Sequence, residues 1–132
     1  MQWLLLLGAE AQHDTLDAAL EALRTLGEVE PLTRERLTDA ASGAPKRYRN
    51  RLVSLDVPLD REALVDACKA IERAFGRGSV DGVPLDIDVL ACCVDTHWQV
   101  DAHARAKGEF DAPHVRLLLA DAGLDGRFDA AG

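Results

Sequence analysis

Two stretches of helical hydrophobic spacing, Asp14 to Leu26 and Asp60 to Phe75, each lie between segments patterned as strands. This doubled strand-helix-strand order leaves few folds open. In the first stretch Leu16, Ala19, Leu20, Leu23 and Leu26 fall on one helical face, and Gly27 closes it. In the second, Leu64, Ala67, Cys68, Ile71 and Phe75 form the stripe, with Asp60 as its cap and Gly76 as its stop. Ahead of them, residues 3 to 7 are a continuous apolar run ended by Gly8, the pattern of a central strand covered on both sides.

Three further strands are predicted. Glu28 to Leu37 is the second, with Pro31 placing an edge or a bulge near its start, and residues 38 to 47, carrying Ser42-Gly43-Ala44-Pro45, are a loop. Tyr48 to Val57 alternates, with Arg51, Val53, Leu55 and Val57 on one side and Leu52, Ser54 and Asp56 on the other. Pro84 to Cys92 is the fourth strand, its Leu85, Ile87 and Val89 sharing a face. The order strand, helix, strand, strand, helix, strand is that of an α+β, ferredoxin-like βαββαβ core: an antiparallel sheet with helices on one face and the other face free for a ligand. After Val94 the pattern predicts a short hairpin over 97–100, a short C-terminal helix over 113–122 and a frayed tail over 126–132. A chain of 132 residues accommodates one such domain, spanning 1–132.

The formal charge of −8 excludes a general affinity for nucleic acid, because no excess of Lys and Arg exists to displace counterions from a phosphate backbone. Any phosphate must be met locally or through metal. The apolar N-terminus is too short for a membrane span and has no basic lead, so neither a signal peptide nor a membrane partner is expected. Of three cysteines, Cys92 and Cys93 are adjacent and point to opposite faces of a strand, while Cys68 continues a helical stripe. Packing thiols in a reducing cytoplasm account for all three.

If Leu85, Ile87 and Val89 face the helices, alternation sends Asp86 and Asp88 to the opposite face. Their Cα atoms are then ~6.5 Å apart, where two unit charges repel by about 2 to 3 kcal/mol at an effective dielectric near 20. Such a pair suits a hard cation such as Mg²⁺, which bridges one or two carboxylates to a nucleotide's phosphates. Solvated acids on the exposed side of a half-buried strand are the other outcome of the same alternation.

Three motifs in order resemble those of the 2-amino-4-hydroxy-6-hydroxymethyldihydropteridine pyrophosphokinase family of folate biosynthesis. They are Tyr48-Arg49-Asn50 on the third strand, Ile71-Glu72 through Gly76-Arg77 at the end of the second helix, and Leu85-Asp86-Ile87-Asp88 on the fourth strand. Gly8-Ala9-Glu10 stands where the family has Gly-Ser-Asn. The resemblance implies a cytoplasmic, monomeric transferase that moves pyrophosphate from ATP to the hydroxymethyl group of a reduced pterin, with Mg²⁺. It also implies roles: Asp86 and Asp88 hold metal, Tyr48 and Asn50 bind the pterin, and Glu72 and Arg77 line the nucleotide site, Arg77 also serving catalysis. Pro113-His114 matches either a family Pro-His near the nucleotide or the place of a pterin-stacking Phe.

The chain departs from the family between Arg77 and Asp86. A long arginine-rich loop is replaced by Gly78-Ser79-Val80-Asp81-Gly82, and Val83 and Pro84 stand where an Arg and a Thr are expected. Arg77 is then the sole cation of that segment, with Lys46, Arg47, Arg49 and Arg51 as candidate substitutes. A member that binds pterin or nucleotide without turnover, and an interaction module whose open sheet face meets another protein, are the alternatives to an active enzyme. His13, His97 and His103 are scattered without metal-ligand spacing and are expected at the surface or as caps.

Overall fold

The computed structural model describes residues 1–40, 42–124 and 126–128. In chain order its elements are β1 (Gln2–Glu10), α1 (Leu16–Arg24), β2 (Glu28–Pro31), β3 (Arg36–Asp39), β4 (Arg47–Asp56), α2 (Arg61–Ala74), β5 (Asp86–Val94), β6 (His97–Val100), α3 (Ala102–Ala106) and α4 (Pro113–Asp121). The sheet has six strands in the order β2-β4-β1-β5-β6, with β3 also on β4, and every pairing between them is antiparallel. This is the ferredoxin-like α+β arrangement. β1 lies at its centre between β4 and β5.

Each strand pair sorts its side chains by alternation. Trp3, Leu5 and Leu7 of β1, Val53 and Leu55 of β4, and Ile87 and Val89 of β5 pack with Leu16, Leu20 and Leu23 of α1 and Leu64 and Cys68 of α2. Asp60 caps α2 by accepting a hydrogen bond from the Ala63 amide, as its position before the stripe predicts. α1 and α2 therefore cover one face.

The opposite face is not left bare, contrary to expectation. Leu4 and Leu6 of β1, Leu52 of β4 and Leu90 of β5 are buried there against Ala104 of α3 and Val115, Leu118 and Leu119 of α4. Alternation puts Leu90 on this face with the aspartates, and a register shift between Leu4 and Leu5, where Leu4 pairs with Ala91 and Leu5 with Val89, makes Leu90 the extra residue of a bulge and adds Ala91 to the same face. β5 thus carries aspartates on this face before the bulge and apolar residues after it. The C-terminal helices bury the apolar end, and a ligand face remains only beside Asp86 and Asp88.

Other boundaries shift for local reasons. The predicted second strand is divided into β2 and β3 because Thr33 interrupts the ladder: its hydroxyl accepts from the Leu52 amide at 3.1 Å, and its carbonyl accepts from Arg51 Nε at 2.9 Å. β3 then extends into the predicted loop. Gly8 does not end β1, which runs on to Glu10. α3 has no counterpart in the predicted elements. Of the tail over 126–132, Phe128 bridges to Trp98 and packs edge-on against Phe110, while 129–132 lie outside the described residues. Among the described residues, no helix is long and apolar enough to cross a membrane.

Candidate active site

The site grows from the register of three strands. Gly8 of β1 pairs with Asn50 of β4 on one side and with Asp86 of β5 on the other, and Leu6 likewise lies between Leu52 and Asp88. A Cβ on Gly8 would come within 3.3 Å of Asn50 Oδ1, so the bare backbone leaves room between the two polar side chains. Above this floor is a cavity of about 300 Å³ whose walls include Tyr48, Asn50, Arg77, Asp86, Asp88 and His114.

A second cavity, of about 350 Å³, opens on the other side of the same carboxylates. Asp86 and Asp88 line it together with Lys69 and Glu72 of α2 and with His103 and Lys107 of the C-terminal segment. The aspartate pair thus stands between two chambers. One has an aromatic phenol and a buried amide, as a flat polar heterocycle requires, and the other has cations and an acid at its edges.

Electrostatics set the pair apart from solvated acids. Burial, and then the neighbouring charge of Asp86, pushes the Asp88 carboxyl up to about 8. The charged form is therefore short of positive partners. Lys107 Nζ is 3.9 Å from Asp88 Oδ1, and Arg77 Nη1 is 3.1 Å from Asp86 Oδ1. Among the described residues no group of three or more His, Cys, Asp or Glu forms a metal cage. A buried carboxylate at Asp88 beside a second carboxylate at Asp86 fits a different donor set, in which Mg²⁺ is completed by water and by the phosphates it arrives with.

Glu72 and Arg77 hold the start of β5 in place. Glu72 Oε2 accepts a hydrogen bond from the Ile87 amide at 2.7 Å, and burial raises the Glu72 carboxyl above its ordinary range. Arg77 Nη1 donates to the Leu85 carbonyl at 3.0 Å as well as to Asp86. The helix end is thereby tied to the strand that carries the aspartates.

His114, at the N-terminal turn of α4, lines the chamber of Tyr48 and Asn50, and burial holds its imidazole below the ordinary value. His103 lines the other chamber, so although it is exposed it is more than a scattered surface histidine. The signal that could have found it is Asp101: two residues earlier, this acid caps α3 through the Ala104 amide and pairs with both Arg61 Nε and Nη2, fixing α3 against α2.

The candidate substitute cations are occupied elsewhere. Lys46 pairs with Glu10, Arg47 with Asp39, Arg49 with Glu35 and Arg51 with Asp17. Alternation explains the last two, since Arg49 and Arg51 lie on the opposite side of β4 from Tyr48 and Asn50. Of the cysteines only Cys68 is buried, its thiol pushed up to about 12 by burial; Cys92 and Cys93 are half-buried.

The family model for 7,8-dihydro-6-hydroxymethylpterin-pyrophosphokinase matches residues 4–121, nearly the whole chain. A comparison with curated proteins finds no match.

Proposed function

Since this chain belongs to the 7,8-dihydro-6-hydroxymethylpterin-pyrophosphokinase family, we propose that it transfers the pyrophosphoryl group of ATP to the hydroxymethyl oxygen of a reduced pterin, releasing AMP. The observation that carries this reading is the position of Asp86 and Asp88 between two chambers of different chemistry. The pterin occupies the chamber of Tyr48, Asn50 and His114, and the nucleotide occupies the one bordered by Glu72, His103 and Lys107. Such a reaction asks little covalent chemistry of a protein and depends on alignment and charge. Mg²⁺ held by Asp86 and Asp88 would neutralise the triphosphate where the two chambers meet.

The chain's own residues supply the rest. Asn50, buried with its Nδ2 donating to Thr38 Oγ1, keeps Oδ1 over Gly8 to accept from the pterin edge. His114, held neutral by burial, offers a heteroaromatic face without a charge to desolvate. Arg77 bridges Glu72, Leu85 and Asp86, and so sets a guanidinium beside the aspartate pair to meet charge on the transferring group. The protein works as a cytoplasmic monomer in this reading. The test is AMP release from ATP that requires both the hydroxymethyl pterin and Mg²⁺. Release no greater than that of a double Asp86→Ala, Asp88→Ala variant would refute it.

One observation favours a second reading, in which both ligands bind but turnover is lost. The segment from Gly78 to Gly82 carries no cation, and loss of a preorganised charge partner lowers rates by about a hundredfold to a thousandfold. Calorimetric binding of pterin and nucleotide without AMP release would select it.

A further inference from the structure

Charge neutralisation near Asp88 comes from a part of the chain remote from the shortened loop. Lys107 ends α3, and Gly108 follows with φ of 74°, a left-handed conformation that turns the chain back toward β5. This brings Lys107 Nζ within 3.2 Å of Glu109 Oε1 and 3.9 Å of Asp88 Oδ1, at the wall of the chamber that Asp86, Asp88 and Glu72 share. Arg77 flanks Asp86 from the other chamber. Each aspartate therefore has one cation beside it, on opposite sides.

The geometry points to Lys107 as the cation that grips the outer phosphates of the nucleotide, taking over work for which the segment Gly78 to Gly82 has no charge. This rests on the pyrophosphokinase reading above. An ammonium on a flexible four-carbon stem can leave a carboxylate for a phosphate without moving its backbone. Divalent metal at Asp88 would repel Lys107 from that carboxylate, leaving Glu109 and the polyphosphate chain as its anions. Glu109 ties the half-exposed ammonium to the wall of the chamber that both side chains line. A purely structural ion pair would give Lys107 no preference among nucleotides. A phosphate grip predicts that its loss is felt by triphosphates and not by a monophosphate.

The experiment is calorimetric binding to the full chain in Mg²⁺, with α,β-methylene-ATP, inorganic tripolyphosphate and AMP as probes. The Lys107→Met variant should bind the first two about tenfold to a hundredfold more weakly and AMP within about twofold of the parent, the size of a lost charged hydrogen bond. Lys107→Arg should recover most of the loss. Arg24→Met makes the same change of net charge at the end of α1, away from both chambers, and should leave all three affinities unchanged. Parent-like triphosphate binding by Lys107→Met, equal weakening of AMP, or an equal effect of Arg24→Met would each overturn the inference while leaving the enzyme reading intact. A parent protein that binds none of the three probes overturns both.

Discussion

Glu72, one turn before the end of α2, accepts a hydrogen bond from the backbone amide of Ile87, the residue between the two aspartates, at 2.7 Å. The spacing and aim of Asp86 and Asp88 are thus set by a helix as well as by the sheet. The same carboxylate lies 3.8 Å from Arg77, so one side chain links the helix, the short loop and the strand that carries the aspartates.

Glu72→Ala should therefore cost about 1 to 3 kcal/mol of stability, because it strands a half-buried amide at the start of β5. Glu72→Gln keeps an acceptor oxygen and should lose less. Urea denaturation midpoints of the two variants, compared with the parent, check the order.

Asp88→Asn should make the metal-free protein more stable. Burial and then Asp86 raise the folded carboxyl to about 8, so folding near neutral pH must take up a proton that the unfolded chain does not hold; the neutral amide removes that cost, for a gain of about 1 kcal/mol, or about 3 to 5 °C in the midpoint of thermal unfolding. The same variant should no longer be stabilised by Mg²⁺ with α,β-methylene-ATP. Melting curves with and without these ligands read both effects.

The two histidines should separate the two ligands. His114→Ala is expected to weaken pterin binding about tenfold and to leave nucleotide binding alone, whereas His103→Ala should do the reverse. Parallel titrations with each ligand decide it, and a common loss in both variants would contradict the two-chamber assignment.

Arg77→Met should lower kcat about a hundredfold, as for one preorganised donor lost from a charge-developing site. Its effect on KM for the pterin should be smaller. Steady-state AMP release at saturating Mg²⁺ provides the comparison.

The Arg61–Asp101 pair contributes to the acid limb of stability. Burial by itself would raise Asp101, but the guanidinium and the Ala104 amide outweigh it and leave its carboxyl below the ordinary 3.8. The unfolded chain then binds the proton more readily, so the contribution is present above about pH 4 and disappears as pH falls through the lower folded-state value. Asp101→Asn should be less stable than the parent at neutral pH, with the difference closing in acid. Denaturation series from pH 7 to below pH 3 test the sign.

Much of this site was readable before any coordinates. The apolar residues on either side put Asp86 and Asp88 on one face; the resemblance picked out Tyr48 and Asn50, and the same two-residue period puts them on a shared face. Where sequence reasoning failed, a side chain had replaced a backbone rung or a short element had no periodicity to show. Thr33 divides the second strand by offering its hydroxyl to Leu52, and nothing in Pro31-Leu32-Thr33-Arg34 announces that. α3 covers only Ala102–Ala106, too little for a hydrophobic stripe.

Sequence by itself determined the doubled strand-helix-strand core, the outward aim of the acid pair and the absence of loop cations, because period, charge and residue type are local properties. Only the tertiary structure decided what surrounds that pair. The bulge at Leu90 sets Leu90 and Ala91 on one face, α3 and α4 close over them, and the Arg61–Asp101 pair fixes α3 so that His103 and Lys107 line the second chamber of the aspartates. Contacts between residues forty positions apart depend on packing and burial, which no window of sequence contains.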